Sequence, residues 1–175
     1  DIAVGYFFLS GFTAIESEIT KFMSQGGTIR ILMGNITDYV TGTTVYEGYE
    51  LKKTKDLLFD ELKALEDDEE KISMVQKLRQ WIAEEKVEVK IYTGNANYFH
   101  AKTYLFYRQD RSQTYDGISI VGSSNFTKSG LLGNTELNSV SQDNFGALTK
   151  WFHEIWNGDE VSNFSKELLE FIDKE

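Results

Sequence analysis

Short apolar runs alternate with amphipathic stretches along this chain, and that alternation constrains its fold more than any other feature. Ile2 to Leu9 is almost continuously apolar, the pattern of a strand covered on both faces. Phe12, Ile15, Ile19 and Phe22 then recur at helical spacing, with Thr13-x-x-Glu16 as a capping box and Gly26-Gly27 as the stop. Thr28 to Met33 reads as a second strand, and the polar stretch from Asn35 to Thr44 as a loop. Leu58, Leu62 and Leu65 stripe a helix near Tyr46 to Leu65, and Val75, Leu78 and Ile82 stripe another near Ser73 to Glu85. Val87 to Tyr92 alternates as a strand. A turn from Gly94 to Phe99 leads to a hairpin of Ala101 to Arg108 and Ile118 to Val121, followed by a strand near Leu137 to Ser141. Two amphipathic helices close the chain, lined by Phe145, Leu148, Phe152 and Ile155, then by Phe164, Leu168 and Phe171. Elements in this order predict an α/β fold, a layered sandwich with a mixed central β-sheet flanked by helices.

At 175 residues the chain is long enough for one domain with a sizeable core, 1–175, and too short for two of ordinary size. A 41% hydrophobic content with 14% aromatics excludes disorder. Opening at Asp1 straight into a strand, without an initiator Met, reads as a domain taken from a longer protein. There is no cysteine, which excludes disulfides and thiolate metal sites and suits a reducing, cytoplasmic compartment. No apolar run approaches the roughly 20 residues that span a bilayer, and no secretory leader or basic amphipathic helix is visible, so no membrane partner is expected.

Only two histidines occur, and one of them has company. His100 and Lys102, two apart on a strand, share one face. The imidazole can then attack phosphorus while the ammonium holds phosphate oxygens. About twenty residues on, Gly122-Ser123-Ser124-Asn125 offers Ser123 and Asn125 as donors to the same oxygens, and Glu136 is available to orient the imidazole. Each residue also has an ordinary reading: His100 as a structural histidine, 122–125 as a turn, Glu136 as a surface carboxylate, Lys128 as an exposed loop lysine. What favours chemistry is their order and spacing together. His153, on a helix stripe, reads as a packing or surface residue. With the two histidines far apart in sequence, neither a metal nor another cofactor is expected. Tyr98, Phe99 and Tyr107 could stack on bases, though aromatics beside strands are more often core.

The segments YFHAKTYLFYR, ISIVGSSNFTKSGL and GNTELNSV resemble, in order, the His-x-Lys, Gly-Ser-x-Asn and Asn-x-Glu elements of the phospholipase D superfamily. The match is close from residue 98 to 140. It departs at the family's aspartate, five residues after the lysine, where Tyr107 stands; Asp110 and Asp116 are out of register. The resemblance implies His100, Lys102, Asn125 and Glu136 as catalytic residues, Ser123 and Lys128 as substrate-binding ones, and a phosphohistidine intermediate without metal. It implies as well a homodimer that brings two single-motif chains to one pocket. The soluble, single-motif character resembles the nuclease branch, including domains attached to bacterial helicases. DNA is therefore expected as the partner ahead of RNA, and a fused helicase domain in the parent protein fits the same comparison. A non-catalytic nucleic-acid-binding module that keeps the phosphate grip is the alternative, favoured by the missing aspartate. A formal net charge of −10 opposes nucleic-acid binding, but residues 86–136 carry six basic side chains against four acidic.

Overall fold

The computed structural model describes residues 1–7, 9–34, 55–56, 60, 69–94, 99–108 and 116–173. The parallel strands are β1 (Ile2–Val4), β2 (Ile29–Met33) and β3 (Val87–Tyr92). The other four pair antiparallel: β4 (Lys102–Tyr107) on β1, β5 (Gly117–Gly122) on β4, β6 (Asn138–Ser141) on β5, and β7 (Val161–Asn163) on β3. The result is one seven-stranded mixed sheet in the order β6-β5-β4-β1-β2-β3-β7.

Helices cover both faces, and the alternation of side chains along the strands explains why. Val4, Ile31 and Met33 point to one face, where they pack with Phe12 of α1 (Ser10–Ala14) and Ile19 and Met23 of α2 (Glu16–Ser24). Met74, Leu78 and Ile82 of α3 (Glu69–Ala83) and Leu168 of α5 (Ser165–Ile172) complete that layer. Ala3, Leu32 and Leu105 point the other way, onto Phe145, Phe152 and Trp156 of α4 (Phe145–Trp156). Each of these large side chains contributes about 1.5–3 kcal/mol by leaving water. Among the described residues no helix is long and apolar enough to cross a membrane.

The α/β sandwich with a mixed sheet is therefore as the sequence predicts, and so are six of the strands. Three local expectations fail. The first strand pairs only over Ile2–Val4, with Phe7 making a lone parallel bridge to Phe126, because the Tyr6 N–H is taken by a side chain, the Asn125 carbonyl. The helix after it starts earlier, at Ser10, and breaks at Ile15 (φ −129°, ψ 36°). Thr13 Oγ1 donates back to the Ser10 carbonyl at 3.0 Å instead of capping, so the expected capping box does not form; the stop at Gly26 (φ 84°) does. Strand β7, three residues between the two closing helices, has too little apolar pattern to be seen in sequence. The loop expected over 35–44 and most of the helix expected over 46–65 lie outside the described residues, as do Tyr98, Asp110 and Arg111.

Candidate functional site

Antiparallel pairing gathers the motif segments at one edge of the sheet. Val4 at the end of β1 lies opposite Lys102 at the start of β4, and the Gly5 N–H donates to the Ala101 carbonyl at 2.8 Å. Gly122 at the end of β5 faces Asn138 at the start of β6, and the Ser123 N–H continues that ladder to the Leu137 carbonyl at 3.1 Å. His100, Lys102, Ser123, Asn125 and Glu136 thus come from neighbouring strand ends.

Lys102 Nζ stands 2.8 Å from His100 Nε2. An ammonium has only protons to offer, so Nε2 accepts and the neutral imidazole carries its proton on Nδ1. Partial desolvation of this otherwise exposed residue first, then the Lys102 charge, hold His100 below the usual histidine range. Lys102 is itself lowered by burial, and Glu136 partly opposes that. The imidazole is therefore kept neutral, with its lone pair aimed at a cation that a phosphate oxygen can replace.

The 123–127 turn is held from several sides. Asn125 Oδ1 accepts the Tyr6 N–H at 3.0 Å, which leaves the side-chain NH₂ as its donor. Phe126 stacks on Phe7 (centroids 5.6 Å, 14°) and meets Phe12 edge-on at 5.2 Å. Tyr104 donates its hydroxyl to the Ser124 carbonyl at 2.8 Å, and Asn138 Nδ2 donates to Ser124 Oγ at 2.8 Å. Burial, helped by Glu136, pushes the Tyr104 phenol up, so it remains a donor. Ser123 Oγ donates to Glu136 and accepts the Leu137 N–H at 3.0 Å, while Asn134 Nδ2 lies 3.3 Å from the other Glu136 oxygen. Glu136 thus anchors Ser123 and Asn134, and its charge is felt at Lys102. Lys128 is exposed on the rim beyond the turn, its backbone N–H 3.4 Å from Ser10 Oγ.

The floor beneath His100 is backbone. A Cβ added at Gly5 would lie 3.1 Å from His100 Cδ2, and one at Gly34 would lie 2.6 Å from the Phe99 carbonyl oxygen and 2.7 Å from that of Gly5.

The family model described as "Cardiolipin synthase, PLD-like domain" matches residues 1–156. The chain belongs to the PLD-like domain family. Members of the wider superfamily generally act on phosphodiesters. The crystal structure of phosphatidylserine synthase from Haemophilus influenzae Rd KW20 is similar to this PLD-like domain, with a TM-score of 0.55 at 12% identity. The match covers 99% of this chain and 38% of that one, and at such identity it shows the fold alone. A search of curated proteins found no match.

Two residues of this PLD-like domain sit away from the motif edge. Tyr107, at the position of the family's aspartate, donates its hydroxyl to Asp1 Oδ2 at 2.7 Å and meets Phe145 edge-on at 5.1 Å. His153 Nε2 lies 2.8 Å from an Arg30 guanidinium nitrogen, so it is a packing residue of α4 rather than a neighbour of His100. Phe99 is core, stacked between Tyr92 (5.1 Å) and Trp151 (6.2 Å). Tyr6, Tyr104 and Asn138 support the site without having been legible in the sequence, because what they contribute is a backbone N–H, a hydroxyl and a side-chain amide delivered across strands. Among the described residues no group of three or more His, Asp or Glu side chains is arranged to hold a metal ion.

Proposed function

We propose that this domain is a metal-independent phosphodiesterase that cleaves DNA through a phosphohistidine at His100. The observation that carries the reading is the 2.8 Å contact between Lys102 Nζ and His100 Nε2, a nucleophile and an anion clamp already paired. A phosphate oxygen takes Lys102, Nε2 attacks phosphorus, and the bond to the leaving oxygen breaks. That oxygen needs a proton, and His153 is occupied with Arg30, so a second copy of His100 from a homodimer partner, entering the cycle as the imidazolium, supplies it. The same group then takes a proton from water, whose oxygen attacks phosphorus and releases the imidazole. Asn125 NH₂ and the two lysines stabilise the charge building on the phosphoryl oxygens, and Ser123 and Lys128 hold the flanking backbone. Glu136 keeps Ser123 in place and balances the Lys102 charge.

The test is cleavage of a chromogenic phosphodiester and of single- and double-stranded DNA in excess chelator, beside His100→Ala, with trapping of the phospho-enzyme. Cleavage that survives chelator and vanishes in the variant is expected. DNA binding without cleavage would instead mark a phosphate-gripping module, and a sedimenting monomer would remove the shared site.

A second reading is a phospholipid substrate. It is favoured by exposed apolar side chains near the motif edge, Leu132 and Leu137 among them, and by the lipid-synthase titles of the matched family and structure. Binding to anionic liposomes, with headgroup release, separates it from the nuclease reading.

A further inference from the structure

Strand β1 is a ruler with the candidate site at one end and a buried polar cluster at the other. At the site end, the Gly5 N–H pairs with Ala101 and the Tyr6 N–H holds Asn125. At the far end, Asp1 and Leu105 exchange both backbone bonds, at 2.8 and 2.9 Å. The Asp1 carboxylate is fully buried there. Arg30 Nε of β2 donates to its Oδ1 at 2.9 Å, a second Arg30 nitrogen binds Oδ2, and Tyr107 of β4 donates to Oδ2 at 2.7 Å. The guanidinium lies over the rings of Phe152 (5.0 Å) and Trp156 (5.3 Å). Three strands and α4 therefore converge on one carboxylate.

The apolar sequence does not by itself set this register. Ala3 and Val4 are buried on opposite faces, so a one-residue slip of β1 would still bury apolar side chains. It would not leave Asp1 between Arg30 and Tyr107, and an unpaired buried charge is strongly disfavoured. We propose that Asp1, Arg30 and Tyr107 form a register lock that positions His100 and Asn125 from the far end of β4, where Tyr107 lies about 17 Å from Lys102 at the rise of five strand residues. The chain lacks the family's aspartate on β4, yet a carboxylate delivered from β1 stands against that position. These are positioning residues, since none is near a reacting atom. The lock rests on the proposed function only where turnover is measured.

The test uses Tyr107→Phe, which removes one hydrogen bond, and Asp1→Asn, which removes the charge. Arg79→Gln, which breaks the exposed Arg79–Asp173 pair, serves as the control. The His100 ring protons are followed by NMR through a pH titration, beside thermal unfolding and turnover. Loosening the register is expected to release His100 from Lys102 and raise its titration midpoint in both lock variants but not in the control. Turnover should fall roughly tenfold or more with KM little changed, since a 1 Å misplacement can cost about 10²-fold. A lower Tm with an unchanged His100 titration would reduce the cluster to a structural contact and overturn the lock. An inactive wild type would sink the proposed chemistry while the titration still decides the lock.

Discussion

Strands β2 and β6 belong to the same sheet, yet every residue of β2 is buried while three of the four residues of β6 are exposed. The sequences say as much: IRILM against NSVS. β2 lies between two helical layers and holds the domain together through Ile31, Leu32 and Met33. β6 is an edge strand that follows Glu136, and its pairing to β5 serves mainly to bring that carboxylate to Ser123. Stability is thus carried by the buried interior of the sheet and chemistry by side chains at strand ends along one edge, and they should be separable by mutation.

The sharpest test of that separation is His100→Ala. Cleavage should fall by about 10³-fold or more, the scale seen when a nucleophile is removed. Its side chain is exposed, so urea unfolding should move by less than about 0.5 kcal/mol. The converse is Ile31→Ala in β2, expected to cost about 2–5 kcal/mol of unfolding free energy. Turnover per folded molecule should survive it, and a loss of chemistry larger than the loss of folded protein would break the comparison.

A smaller effect concerns pH. The nucleophile must be neutral, and partial desolvation and Lys102 both disfavour its protonation, so the rising limb of kcat/KM should lie below the ordinary histidine value. Lys102→Met removes one of the two causes and should move that limb upward as turnover falls. A limb at or above the ordinary value in the wild type would mean that another group controls it. The smallest effect is expected from Val140→Thr on β6, within about 0.5 kcal/mol because the side chain is 65% exposed. A larger cost that depends on protein concentration would show that a second subunit covers this strand.

The layered fold was legible because helix and strand periods are written in apolar positions such as Ile19, Leu78 and Val89. The motif residues were legible from their types and order. The supports were not. Asn125 depends on the Tyr6 backbone N–H, which any residue but proline would supply, and Tyr104 reaches Ser124 only because β4 and β5 pair as they do. Ser10 starts a helix that the pattern placed later, and the break at Ile15 interrupts an apolar stripe that runs on through Phe12, Ile15, Ile19 and Phe22. Asp1 gave no signal either, because a single acidic residue before a strand says nothing of the arginine and tyrosine it will meet.

The glycine floor has a consequence for anyone who would re-engineer this domain. A methyl group at Gly34 would force the carbonyls of Phe99 and Gly5 to move, and one at Gly5 would press on the His100 ring itself. A library that diversifies the surroundings of the imidazole should hold both positions constant and vary the rim at Ser10, Lys128 and Leu132 instead. A new inhibitor would likewise meet peptide planes from below, and would have to find its selectivity in the walls.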